Sequence, residues 1–131
     1  MLTEKDYCDY DTCVALEEVG MLLKTQIVRS YAKEGIQTSK IYPNPPSLYE
    51  AQKWLREEKD IHIEVYACAG GYIYELRKAY KPNSFSGGTT IYTPNDVDNP
   101  KLNDAGRYDD FEICLLEGIK EAVKILNNKN E

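Results

Sequence analysis

Two side chains that could act as a nucleophile and a base lie in the middle of the sequence, in the stretch HIEVYACAGG. His62 is the only histidine of the chain, and Cys68 follows it, just before Gly70 and Gly71. A catalytic cysteine needs its base within hydrogen-bond reach. The intervening residues alternate between apolar and polar types, which predicts a β-strand. At about 3.3 Å per residue, a strand separates the two groups by roughly 20 Å. We therefore expect no catalysis from this pair, and the sequence favours a protein that is not an enzyme.

The paired glycines could instead cradle a phosphate. A phosphate-binding glycine loop leads into the N-terminus of a helix. Gly70 and Gly71 are followed by YIYELRKAY, which is rich in strand-forming residues. The glycines therefore predict a hairpin turn, where two positions at positive φ are needed.

Metal-binding patterns are also weak. Cys8 and Cys13 lack the close Cys-x-x-Cys spacing of a structural zinc site, and the four cysteines are most simply thiols. The acidic run NDVDNPKLND offers oxygen ligands at Asp96, Asp98 and Asp104. However, a proline stands where a calcium loop needs its third oxygen-bearing side chain, and the loop glycine is missing. We expect no metal and no cofactor, although cation binding by residues 95–104 stays open.

The composition narrows the possible partners. The chain has 131 residues, is 42% hydrophobic and carries a formal net charge of −6, which predicts one domain spanning residues 1–131. The negative charge argues against nucleic acid, because clustered basic residues supply most of the affinity for phosphates. No secretory signal begins the sequence and no apolar run could span a membrane, so we expect a cytoplasmic protein. The oligomeric state is left open.

The elements around the central stretch can be predicted from local patterns. Ser47 and Glu50 form a capping box that starts an amphipathic helix over residues 48–59. A hairpin closing on the two glycines would pair Ala69 with Tyr72, Val65 with Leu76 and Glu64 with Arg77.

That hairpin predicts a polar face on the sheet. Tyrosine is abundant, with 11 residues, and it is enriched at protein interfaces. The predicted face is a candidate protein-binding surface, made of His62, Glu64, Tyr66, Glu75 and Arg77.

The remaining segments complete an α+β fold in the order α-β-β-α-β-β-α. Asp9 or Asp11 can cap a first helix that ends before Gly20, and a weaker hairpin turns at Lys33–Gly35. Residues 81–108 predict a long irregular loop with one short strand at 89–93. Asp109 with Glu112 then starts the last helix. We expect the two hairpins to form one antiparallel sheet, with three helices mainly on one face.

Residues 46–65, PSLYEAQKWLREEKDIHIEV, resemble a run in small uncharacterised proteins of gut-bacterial bacteriophages and prophage-like elements. The shared pattern is roughly P-[ST]-L-x-x-A-x-K-W-L-R-E-x-x-x-I-H-I. The opening YDTCVALEEVG and the closing LLEGIKEAV are also similar, whereas residues 81–108 depart from the shorter connection of that family. The resemblance implies a phage accessory protein in a bacterial host cell, and it supplies no catalytic residues.

Taken together, these patterns favour a non-catalytic protein-interaction module that binds a host or viral protein. The alternative is a small enzyme or ligand-binding protein, with a pocket between the 81–108 loop and the sheet.

Overall fold

The computed structural model describes residues 1–80, 88–94 and 101–129. The helices are α1 (Tyr10–Glu18), α2 (Leu48–Lys59) and α3 (Phe111–Lys129), and a short 3-10 helix at Glu4–Asp6 precedes them. The strands are β1 (Gln26–Ala32), β2 (Gly35–Ile41), β3 (His62–Cys68), β4 (Gly71–Lys78) and β5 (Thr89–Tyr92). This order confirms the α+β class, with β5 as the short strand of the long connection.

The strands form two separate antiparallel sheets rather than one. β1 pairs only with β2, while β3, β4 and β5 form a three-stranded sheet with β4 in the centre. β5 occupies one edge of β4, β3 is the edge strand on the other side of that sheet, and every residue of β2 is exposed. The first hairpin therefore neither extends the second sheet nor buries its β2 strand against it.

The β3–β4 hairpin closes on Ala69 and Gly70, one residue earlier than predicted. Val65 lies opposite Tyr74, and Glu64 lies opposite Glu75. The predicted pairs of Ala69 with Tyr72, Val65 with Leu76 and Glu64 with Arg77 are therefore wrong. The partners differ by two positions, and because side chains alternate with a period of two, each residue keeps its predicted face.

Gly71 explains the difference in register. It is a strand residue with φ 145°, and a Cβ atom there would clash with the carbonyl oxygen of Tyr108. Tyr108 and Tyr72 exchange two backbone hydrogen bonds of 2.9 Å. The glycine is thus required by the close approach of a distant segment, which local turn preferences do not reveal.

Two helix starts follow the predicted side-chain caps. The Glu50 amide donates to the Ser47 hydroxyl (3.1 Å), and the Ser47 amide donates to the Glu50 carboxylate (3.2 Å). Asp9 caps α1 by accepting a hydrogen bond of 2.9 Å from the Thr12 amide. These contacts satisfy amide groups that have no partner inside the helix.

The start of α3 differs by one residue from the prediction. Asp110, not Asp109, accepts hydrogen bonds from the amides of Glu112 (2.9 Å) and Ile113 (3.3 Å). Asp109 is held instead by the side-chain amide of Asn103 at 2.8 Å. A loop contact therefore takes the carboxylate that the local pattern assigned to the helix.

α3 organises the hydrophobic core. It packs on β3 and β4, and α1 and α2 pack against it. At Gly118 the helix approaches the sheet so closely that a Cβ atom would lie 2.7 Å from Cγ2 of Ile63. The large side chains buried most completely in the core are Leu16, Leu48, Leu55, Ile61, Leu76, Tyr108, Leu115, Ile119 and Val123.

Candidate functional site

The polar face of the β3–β4 sheet brings together all five predicted binding residues. Because Ile63 and Tyr74 face α3, the residues that alternate with them point to the opposite side. Tyr66 is 43% exposed, whereas Ile73 on the same face is buried. The residues on this face are His62, Glu64, Tyr66, Glu75 and Arg77.

Most of the polar groups on this face already have partners within the chain. The Tyr66 hydroxyl donates to Glu75 Oε1 at 3.2 Å, and Arg77 Nη1 lies 3.6 Å from Glu75 Oε2. Arg77 also donates to the Thr90 hydroxyl at 2.8 Å and to the Gly88 carbonyl at 3.3 Å. A new partner would have to replace these hydrogen bonds with its own, because a polar group that is buried without a hydrogen bond costs free energy.

His62 belongs to a structural contact at the end of α2. Its Nε2 atom lies 3.0 Å from Oδ1 of Asp60, a residue in the left-handed conformation with φ 53°. Asp60 also accepts hydrogen bonds from the amides of Ala79 (3.1 Å) and Tyr80 (2.7 Å). Burial alone would raise the pKa of Asp60, but the Tyr80 and Ala79 amides and the imidazole together lower it. Asp60 thus ties the end of α2 to the end of β4.

Cys68 and His62 lie at opposite ends of β3 and have different partners. Cys68 is half-buried, and its sulfur accepts a hydrogen bond of 2.8 Å from Nε of Arg107. The other thiols are buried, and burial raises the pKa of Cys8 to about 12, of Cys13 to about 11 and of Cys114 to about 12. Buried thiols of this kind are poor nucleophiles, because the thiolate is the reactive form.

Asn103 fixes the segment that closes the end of the β3–β4 hairpin. Its Nδ2 atom donates to the Gly70 carbonyl at 2.9 Å, and its Oδ1 atom accepts from the amides of Ala105 (2.9 Å) and Arg107 (3.1 Å). Together with the bond to Asp109, these contacts of one side chain hold the turn and the loop as a unit.

The proposed acidic ligands of a cation lie mainly beyond the described part of the chain. Asp96 and Asp98 fall outside it, and Asp104 is exposed. Among the residues that the structure does describe, no three His, Cys, Asp or Glu side chains converge as a metal site requires.

A hollow of about 280 Å³ lies where the alternative hypothesis expects a pocket. Tyr74, Tyr92 and Tyr108 line one wall, and Glu117 and Glu121 of α3 line the other. Tyr74 and Tyr108 stack with ring centroids 6.0 Å apart, and Glu117 forms an ion pair with Lys101. Burial raises the pKa of the Tyr74 hydroxyl, so this group stays protonated. The hollow therefore resembles the packed edge of the core.

The β1–β2 hairpin is the most exposed apolar element in the described residues. Tyr31 is 81% exposed, Ile36 is 62% exposed and Ile27 is 60% exposed. A two-stranded hairpin is only marginally stable in water, and side chains of this kind are usually buried. This element therefore presents apolar surface to whatever surrounds the protein.

The register of this hairpin sorts its side chains into two faces. Tyr31 lies opposite Ile36, Arg29 opposite Thr38 and Ile27 opposite Lys40. Opposed residues of an antiparallel pair share one face. We call these residues the Tyr31 face: Ile27, Arg29, Tyr31, Ile36, Thr38 and Lys40.

Within the residues that the structure describes, the side-chain contacts of the hairpin with the body lie at one end. Lys40 Nζ lies 2.6 Å from Glu17 Oε1, and the Tyr42 hydroxyl donates to the same oxygen at 2.5 Å. The ring of Tyr42 also contacts the ring of Tyr10 with centroids 5.6 Å apart. These contacts fix the base of the hairpin on α1, whereas both residues of its turn, 33–34, are exposed.

Charge is distributed unevenly between the hairpin and the rest of the chain. Residues 24–41 contain four basic residues and one acidic residue, a net charge of +3. Since the whole chain carries −6, the remaining residues carry −9. The basic hairpin is therefore attached to an acidic body, which favours binding to an acidic surface.

A groove of about 480 Å³ is lined by the N-terminal segment, by α3 and by Pro45, which follows β2 in the sequence. Its apolar part is formed by Tyr7, Pro45, Ile113 and Leu116. Three acidic residues, Glu4, Asp9 and Glu112, also line it, together with one basic residue, Lys5, which pairs with Glu112. Tyr7 is 39% exposed and Ile113 is 47% exposed, so both present apolar area to solvent. The groove thus combines an apolar floor with acidic groups.

The amino-acid sequence of the hairpin itself indicates that it is exposed. The alternation in residues 26–41 is poor, because apolar residues fall on both faces, and basic residues outnumber acidic ones there. Both properties are typical of a strand pair that is not packed on a core.

In the described part of the chain, no helix is both long and apolar enough to cross a bilayer. Comparison with protein-family models, with curated proteins and with solved structures finds no significant match to this chain. The resemblance of residues 46–65 to phage and prophage-like proteins stays a prediction.

Proposed function

We propose that the protein is a non-catalytic module that binds a protein partner through the β1–β2 hairpin. The observation that carries this proposal is the exposure of Ile27, Tyr31 and Ile36 on a hairpin that pairs with no other strand in the described part of the chain. Exposed apolar residues grouped on one element are typical of a protein interface. The net charge of +3 on this element adds a preference for an acidic partner.

The polar face around Tyr66 is a secondary surface in this proposal. Its groups Glu75 and Arg77 are bound to each other and to neighbouring residues, so they have less to gain from a partner. The hairpin offers the exposed apolar side chains of Ile27, Tyr31 and Ile36, which have no polar contact with a described residue to give up. The resemblance to phage and prophage-like proteins supports an accessory role, with a host or viral protein as the partner.

The alternative of a small enzyme or ligand-binding protein has weaker support. The hollow beside Tyr74 is the structural feature that favours it. Its walls consist of stacked rings and of charged residues, of which Glu117 is paired with Lys101, and the single imidazole of the chain is held by Asp60 elsewhere. A ligand in this hollow would have to compete with contacts that stabilise the fold.

Photo-crosslinking tests the hairpin directly. A photoreactive amino acid replaces Tyr31, Tyr66 or Lys124 in cells that produce the protein, and covalent adducts are identified by mass spectrometry. We expect adducts at position 31 and few at position 66, with the exposed helical position 124 as the control. Ile36→Asp should reduce the yield at position 31 by about tenfold, because it places a charge in the apolar contact.

Circular dichroism of each variant verifies that the fold is retained. Adducts at position 66 alone would show that the partner binds the sheet face and not the hairpin. Equal yields at all three positions would contradict a specific surface of either kind.

A further inference from the structure

We propose that a second copy of this chain is the partner, with the hairpin of each copy docked in the acidic, apolar groove of the other about a two-fold axis. The inference rests on the proposed function, because it uses the same hairpin as the binding element. It adds the identity of the partner, a second copy of the chain, and the surface that the hairpin binds, the groove.

The two surfaces match in chemistry. The Tyr31 face presents three large apolar side chains, and its charged residues, Arg29 and Lys40, are both basic. The groove presents apolar Tyr7 and Ile113 beside the acidic residues Glu4, Asp9 and Glu112, and its one basic residue, Lys5, is paired with Glu112. Apolar contact at the centre with opposite charges at the rim is the usual arrangement of a specific interface.

The charges that would pair are available. Arg29 has no ion pair or side-chain hydrogen bond with any residue that the structure describes, and the same holds for the exposed Glu4 carboxylate at the groove. Lys40 is already bound to Glu17, so Arg29 is the basic group of this face that is free to meet an acidic rim.

The position of the groove favours a closed pair. The hairpin ends at Ile41, and the groove begins at Tyr7 and Pro45, a few residues along the chain and beside the N-terminal segment. Each hairpin has strands of seven residues, so it extends about 23 Å. When two such hairpins lie antiparallel about a two-fold axis, the tip of each lies beside the base of the other, where the groove is. The contact is then made twice, as in an isologous dimer.

The charge balance distinguishes this occupant from nucleic acid. A polyphosphate would be repelled by the body, which carries −9, and would gain only the few basic residues of one hairpin. In a dimer the attraction between opposite charges arises twice, because the basic hairpin of each copy meets the acidic body of the other.

Light scattering coupled to size exclusion tests the pairing. The wild-type chain should approach twice its mass of 15.0 kDa as its concentration rises, and added salt should shift it towards monomer. Arg29→Glu and Glu4→Lys should each weaken dimerisation by about tenfold, so that each variant is mostly monomeric at the concentration where half of the wild-type chain is dimeric. Tyr66→Ala, on the sheet face, is the matched control and should leave the dimer unchanged.

Mixing the two charge-reversed variants gives the sharper result. In a pair formed by one copy of each, the acidic side chain introduced by Arg29→Glu would meet the basic side chain introduced by Glu4→Lys, and the other hairpin and groove would be unaltered. The mixture should therefore recover the dimer that neither variant forms alone. Both positions are exposed, and circular dichroism confirms that each variant is folded.

Three outcomes would overturn the inference. They are a monomer at every concentration, a dimer insensitive to both reversals, and two monomeric variants that fail to pair when mixed. Binding of a short fluorescent DNA duplex that Arg29→Glu abolishes would assign the hairpin to nucleic acid instead. A monomer whose position 31 still crosslinks to another protein would retain the proposed function and remove only the self-pairing.

Discussion

At the scale of single residues, the structure assigns Asp60 a role that its position in the sequence conceals. Its backbone ends α2, and its carboxylate contacts the only histidine and accepts hydrogen bonds from two amides just after β4. The sequence predicted a helix that stops near this point and a strand that follows. It could not show the contact with Tyr80, because that residue is separated by the whole β3–β4 hairpin.

Asp60→Asn should reduce the free energy of unfolding by about 1 kcal/mol near neutral pH, because hydrogen bonds to a charged acceptor are lost. Asparagine tolerates the left-handed conformation, so the backbone itself is not strained. The measurement is urea denaturation followed by circular dichroism. Asp104→Asn, at an exposed carboxylate, is the control and should have little effect.

A comparison of wild type with Asp60→Asn also predicts how the stability depends on pH. The pKa of Asp60 is lower in the folded state than its ordinary value of 3.8. Its stabilising effect is therefore complete above that ordinary value and is lost as pH falls through the folded pKa. The difference in stability between wild type and Asp60→Asn should shrink in strong acid. A difference that stays constant or grows on acidification would contradict the role of the carboxylate charge.

At the scale of helices and strands, local chemistry predicts where an element begins, and distant contacts decide how it pairs. The capping box of Ser47 and Glu50 involves neighbours in sequence, and it was predicted correctly. The turn of β3–β4 was predicted one residue late, because Gly71 serves the approach of Tyr108. Asp109 was likewise assigned to a helix that Asp110 caps, since Asn103 binds Asp109.

The contact of α3 with the sheet gives a prediction at this scale. Gly118→Ala should destabilise the protein by about 1–2 kcal/mol, although alanine favours helices, because the added methyl group meets Cγ2 of Ile63. Ile63→Leu removes that branch at constant volume. The double variant should therefore lose less stability than the sum of the two single variants, as measured by urea denaturation. Simple additivity would show that the close approach is relieved in another way.

At the scale of the whole molecule, the protein divides into a packed body and a hairpin that contributes little to it. Both hairpins and all three helices could be predicted from periodicity, turns and caps. Their arrangement in separate sheets could not, because it depends on which strands pair over long distances in the sequence: β5 pairs with β4, and the first hairpin does not pair with β3. The candidate site was only partly predictable, because it also depends on how distant elements pack together. The residues around Tyr66 do share a face, but the sequence did not show that the first hairpin is unpacked.

Replacing residues 26–41 with a short Gly-Ser linker should leave the body folded. The contact of Lys40 with Glu17 is the main side-chain interaction lost, and exposed ion pairs contribute only about 0–1 kcal/mol. Near-UV circular dichroism and a cooperative urea transition would verify this result. Loss of the cooperative transition would show that the hairpin is part of the folding unit.

The unequal burial of the four thiols has a practical consequence for chemical labelling. Cys8, Cys13 and Cys114 are enclosed by the core, whereas Cys68 is within partial reach of solvent beside Arg107. A maleimide dye added to the native protein should therefore attach once, at the end of β3, and the three remaining thiols should react only after denaturation. The mass of the native product checks this count. The wild-type sequence thus already carries a unique handle for fluorescence or spin probes, with no cysteine to remove.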